Sequence, residues 1–129
     1  MKRNRRILAV VMATVMMAAF AGQAAARDGD VIRTGDCSGR ADWKLKGGLR
    51  DGRIEVEFEV DSNRVGQTWR VRLSDNGNVF FRGTRQTAGA SGSFTVERRT
   101  ANLAGTDRIV GFARNIATGQ TCRGVIRIG

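Results

Sequence analysis

The side chains best able to do chemistry in this chain are carboxylates and guanidiniums, because it contains no histidine. The stretch "RIEVEFEV" sets Glu55, Glu57 and Glu59 at alternate positions. On an extended strand such residues stand about 7 Å apart on one side, near the separation glycosidases use for a paired acid and base. Three further stretches, "TWRVRL", "DRIVGFARN" and "TCRGVIRI", alternate in the same way and carry Arg70, Arg72, Arg108, Arg114, Arg123 and Arg127. Guanidinium groups fork onto phosphate, sulfate or carboxylate oxygens, so an aligned set of them is a polyanion-binding device. Cys37 and Cys122 are the only thiols.

Several chemistries drop out at once. Without imidazole there is no Ser-His-Asp triad, no Cys-His pair and no histidine metal ligand. The glutamate row lies beside the lysines of "ADWKLKGGL" and is expected on a solvated strand face rather than in a cleft, so it forms no catalytic dyad. Asp51, Asp61-Ser62-Asn63 and Asp75-Asn76-Gly77-Asn78 offer oxygens to calcium, but none has the spacing of an EF-hand loop. These residue types are also what tight turns require. "TAGASGS" (87–93) follows no phosphate-binding pattern and precedes a strand, so it is read as a loop. The expectation is a non-enzyme with no metal and no cofactor.

The compartment is written at the start of the chain. "MKRNRR" is cationic, residues 7–21 are an uncharged apolar run, and "GQAAA" supplies a small-residue cleavage site. This is the layout of a secretory signal peptide over residues 1–26, with an uncleaved anchor as the alternative. The run is short for a membrane span, and no stable membrane insertion is expected once the leader is removed. The chain's 22 basic and 12 acidic residues give a formal charge of +10, of which Lys2, Arg3, Arg5 and Arg6 would leave with the leader. In an exported chain two cysteines favour a disulfide, Cys37–Cys122; free thiols or an intermolecular bond are the alternatives. A loop of that length stabilises by roughly 4–5 kcal/mol on the chain-entropy model.

These residues must be positioned by strands. After a lead-in over 27–40, residues 41–129 read as seven short strands separated by glycine-rich turns, with Asn76-Gly77 the strongest hairpin signal. No amphipathic helix interrupts them, so the fold class is an all-β antiparallel sandwich or barrel. The succession "IEVEFEV … TWRVRL … VFFRG … GSFTVER … LAGTDRIVGFARN … TCRGVIRI" resembles fibronectin type III and other immunoglobulin-like modules. Trp69 opens the third strand, and "AGTDRIVGFARN" stands where the E–F corner and strand F lie in such modules. The corner tyrosine is absent; Asp107 stands near its place. The chain is also similar to small secreted proteins of actinomycete-type bacteria. The resemblance implies a seven-stranded immunoglobulin-like sandwich, no particular activity, and two cysteines at the same end of one edge.

Apolar phase then sorts the outer faces. The first, second and fifth expected strands present Lys44, Lys46, Glu55, Glu57, Glu59, Thr95 and Glu97, with lysines facing glutamates in exposed pairs. The third, sixth and seventh present Arg70, Arg72, Arg108, Arg114, Arg123 and Arg127 around Val110, Phe112 and Val125, with no acid among them. Such a face is either a solvated surface in an arginine-rich chain or a binding platform for an anion. As a platform it implies a secreted or wall-associated module for an anionic cell-wall polymer or an acidic surface, with Arg70, Arg72, Arg108, Phe112, Arg114, Arg123 and Arg127 in contact. Export, a low aromatic content and the lack of a row of base-stacking rings argue against nucleic acid. The alternative function is a protein-interaction or inhibitor module acting through turns such as "SDNGN" or "TAGASG".

Overall fold

The computed structural model describes residues 26–129, so the leader reading lies outside the described residues apart from Ala26. Eight strands follow one another: β1 (Val31–Asp36), β2 (Asp42–Arg50), β3 (Arg53–Asp61), β4 (Thr68–Asp75), β5 (Asn78–Gln86), β6 (Ser93–Ala101), β7 (Asp107–Asn115) and β8 (Thr121–Ile128). They form two four-stranded sheets, β1-β2-β3-β6 and β5-β4-β7-β8, in which every pairing is antiparallel. The two sheets bury their facing sides in a single core, as an all-β sandwich must.

Alternation drives this packing. Ile54, Val56, Phe58 and Val60 on β3 meet Trp69, Val71 and Leu73 on β4 and Ile109 and Ala113 on β7, all of them buried. Trp69 is the largest fully buried side chain and tilts against Phe94, with ring centroids 6.3 Å apart. Close approach needs glycine at one central position. A Cβ on Gly111 would lie 2.8 Å from the Phe58 ring, so the β7 backbone sits directly on that side chain. The hairpins β2–β3 and β4–β5 turn through Asp51-Gly52 and Asn76-Gly77, each with positive φ at both residues, the geometry that matches strand twist.

The sandwich has one strand more than the seven expected. Residues 31–36, read as part of a lead-in, pair with β2 from Val31↔Gly47 to Asp36↔Asp42. That extra edge strand corrects a second expectation. It makes β2 an interior strand, with Ile32 directly across from Lys46. Lys46 therefore does not pair with Glu57 in solvent: the two lie 3.2 Å apart with side chains only 7% and 3% exposed.

The expected disulfide is present. Cys37 lies in the β1–β2 turn and Cys122 on β8, with an S–S distance of 2.04 Å. Ser38 N donates to the Thr121 carbonyl at 2.8 Å, and Thr121 N donates to Ser38 Oγ at 2.9 Å. The two sheets are thus stitched together at this pole. Among the described residues no helix is long and apolar enough to cross a membrane.

Candidate anion-binding face

Strand registers convert the arginine pattern into a surface. On the outer side of the second sheet, one row across the strands runs Arg82–Arg72–Phe112–Arg123. The next row, two residues along, runs Thr84–Arg70–Arg114–Thr121. In the other direction comes a row of three valines and a serine, Val79–Ser74–Val110–Val125. Beyond it Arg108 pairs with Arg127. The six arginines and the Phe112 expected on one face do share it, and β7 has the phase that turns Val110 and Phe112 outward.

The face also holds a seventh arginine, Arg82, which sequence reasoning missed. The β4–β5 register shifts between Leu73 and Ser74, so "VFFRG" does not alternate cleanly and its phase is hidden. Its contribution is central. An open hollow of about 410 Å³ is lined by Arg70, Arg72, Arg82, Thr84, Phe112 and Arg114. The Arg72 guanidinium lies 5.2 Å from the centre of the Phe112 ring, which holds the charge over the half-buried aromatic floor.

The electrostatics of the two outer faces differ. In the middle of the first sheet opposite charges register: Lys44 with Glu59, Lys46 with Glu57, and Glu55 with Arg99, whose Nη2 lies 3.3 Å from Glu55 Oε2. Glu57 also faces Glu97, and Asp36, Asp42 and Asp61 line up at the disulfide end of that face. On the second sheet three directly opposed pairs are arginine with arginine: Arg72↔Arg82, Arg70↔Arg114 and Arg108↔Arg127. Among the described residues no ion pair engages any of the seven. The molecule is polar from face to face, a distribution that orients an approaching anion.

The remaining candidate residues fall elsewhere. Glu55, Glu57 and Glu59 lie on the outer side of β3, where Lys46 and Arg99 hold the first two. The turn carboxylates have other occupations: Asp61 Oδ1 accepts from Asn63 N at 3.0 Å, Asp51 Oδ2 lies 3.6 Å from Arg99 Nη1, and Asp75 is buried. Among the described residues no three His, Cys, Asp or Glu side chains gather as metal ligands. At the disulfide pole a second depression of about 450 Å³ is lined by polar loop residues, including Arg40, Arg64, Gln67 and Asn115.

Two carboxyl groups are strongly perturbed. Asp30 is lowered to about 2, chiefly by the Arg50 guanidinium, whose Nη2 lies 2.9 Å from its Oδ2. Asp75 is raised to about 6 by burial and by the neighbouring Asp107 carboxyl. Neither belongs to the arginine face: Asp30 is held by Arg50 of β2 in the other sheet, and Asp75 points into the sandwich. No protein-family model, curated protein or solved structure matches this chain.

Proposed function

We propose that the protein is a secreted, non-catalytic module of immunoglobulin-like type that binds an anionic cell-envelope polymer through the outer face of β5-β4-β7-β8. The single observation that carries this reading is the trio of directly opposed arginine pairs. Like charges set across from one another destabilise a sheet, and here no carboxylate of the described residues neutralises them. A polyanion laid on the face supplies the missing charge and gains forked hydrogen bonds from each guanidinium. Phe112 and the valine row give it an apolar floor.

The immunoglobulin-like assignment is supported by the order β2-β3-β6 against β5-β4-β7-β8 and by a tryptophan buried on the strand that opens the second sheet. In that reading β1 is an added edge strand. Secretion is supported by the leader-like start and by a disulfide, which persists in oxidising compartments.

The test replaces Arg72, Arg114 and Arg127 with alanine together. Retention on an immobilised anionic wall polymer should fall, and its dependence on salt should flatten. Unchanged retention would count against the proposal.

A further inference from the structure

We infer that the hollow among Arg70, Arg72, Arg82 and Arg114 is a subsite for a phosphate monoester carried by the bound polymer. The inference rests on the binding role proposed for the face and adds the chemistry of its ligand. Its starting point is how guanidiniums are matched. A carboxylate has two coplanar oxygens, and one guanidinium fork satisfies both. A phosphate monoester has three free oxygens arranged out of one plane and a charge near −2 at neutral pH, so it accepts from more than one fork at once.

The sheet supplies forks in pairs. Arg72 and Arg82 stand directly opposite, and so do Arg70 and Arg114. Arg70 and Arg72 lie two positions apart on β4, about 7 Å along a strand, so the four form a compact frame around one concavity. Four cations in so small a frame call for a ligand of high charge density. A uronic acid polymer, with one charge on each sugar, cannot fill it as a doubly charged phosphate does. Thr84 lines the same hollow and adds a hydroxyl donor, while the Phe112 ring beneath Arg72 gives it an apolar wall for a sugar carrying the phosphate. The exposed Arg123 flanks Phe112 on β8 and extends the cationic rim.

Two hexoses that differ only at their sixth carbon test the assignment: glucose 6-phosphate and glucuronate. Titrated into the oxidised protein and followed by amide and guanidinium NMR shifts, glucose 6-phosphate should bind about tenfold or more tightly than glucuronate. Its affinity should rise as pH passes through about 6, where the phosphate takes its second charge. Arg82→Ala and Arg70→Ala should each weaken it several-fold, whereas Arg53→Ala, which removes the same charge from the other sheet, should leave it unchanged. Equal binding of the two hexoses, or glucose 6-phosphate binding untouched by both Arg82→Ala and Arg70→Ala, overturns the phosphate subsite. If in either case the wild type is still retained on a carboxylate polymer in a manner sensitive to the Arg72/Arg114/Arg127 substitution, only the subsite falls. Failure to retain any polyanion takes the reading of the face down with it.

Discussion

Asp75 and Asp107 lie next to each other inside the sandwich, and each is almost fully buried. Asp75 ends β4 on the same inward phase as Trp69, Val71 and Leu73; Asp107 opens β7 two residues before Ile109, the register partner of Asp75. Among the described residues no N–H or O–H group reaches either oxygen of Asp75 or Oδ2 of Asp107. Asp107 Oδ1 accepts from Leu103 N at 3.2 Å. Burial and the Asp107 carboxyl beside it raise Asp75 to about 6, so below that pH Asp75 carries a proton that it can share with Asp107.

The sign of the consequence is opposite to ordinary acid denaturation. Between about pH 4 and pH 6 the folded chain holds a proton that the unfolded chain has released, so stability increases as pH falls through this window. Asp30, lowered to about 2 by Arg50, works the other way: its contribution is complete above the ordinary carboxylate range and is lost as pH drops toward 2. Thermal unfolding should therefore show maximal stability near pH 4–5, higher than at pH 7 by on the order of 2 kcal/mol. Asp75→Asn should flatten the slope between pH 4 and 7 and raise the midpoint at pH 7. A wild-type midpoint that falls steadily from pH 7 to 4 would refute the shared proton.

The disulfide closes a sequence separation of 85 residues. Its loss frees nearly the whole domain in the unfolded state, so Cys37→Ala with Cys122→Ala should cost about 4 kcal/mol in denaturant unfolding. The Ser38–Thr121 hydrogen bonds beside it should loosen with it, visible as faster amide exchange at both residues. Equal stability of the reduced and oxidised proteins would show that the link only decorates that pole.

Gly111 is the point at which β7 rests on the core while its neighbour Phe112 faces outward. Gly111→Ala puts a methyl where the Phe58 ring already lies, at 2.8 Å. The ring is fully buried, so either it or the β7 backbone must shift, and the expected loss is about 1–3 kcal/mol. Calorimetry decides it; an unchanged midpoint would mean that β7 stands further from the core than described.

How much of this was legible beforehand depended on whether period two survived locally. β3, β4, β7 and β8 alternate without interruption, so their outward arginines and glutamates could be assigned residue by residue. The same alternation carried a signal that went unused. Continuing "TWRVRL" through Ser74 puts Asp75 inside, and counting back from Ile109 does the same for Asp107. β1 escaped because "VIRTGD" has little apolar rhythm: its inward positions are Val31, Arg33 and Gly35, and the last is small because the Trp43 side chain fills that space. The pairing of Lys46 with Glu57 was visible in sequence, but its burial was not, since that depends on the strand that was missed. Arg82 was hidden by the bulge beside it. Which arginines oppose which is a property of register, and register between distant strands such as β4 and β7 is not written in either strand alone.

That register also separates binding from mere solvation. If the arginines serve only to keep the face wet, a carboxylate set among them is harmless to function. Arg82→Glu places one directly across from Arg72 and converts a repulsive pair into an attractive one, so folding stability should rise by about 0.2–1 kcal/mol. Retention on an anionic polymer should fall several-fold at the same time, because the new carboxylate occupies the guanidiniums and repels the ligand. Arg53→Glu changes net charge equally on the other sheet and should leave retention nearly as it was. A gain in stability joined to a loss of binding is the signature of a surface kept strained for its ligand. Retention that declines alike in both variants would instead trace the effect to overall charge, and the face would have no special role.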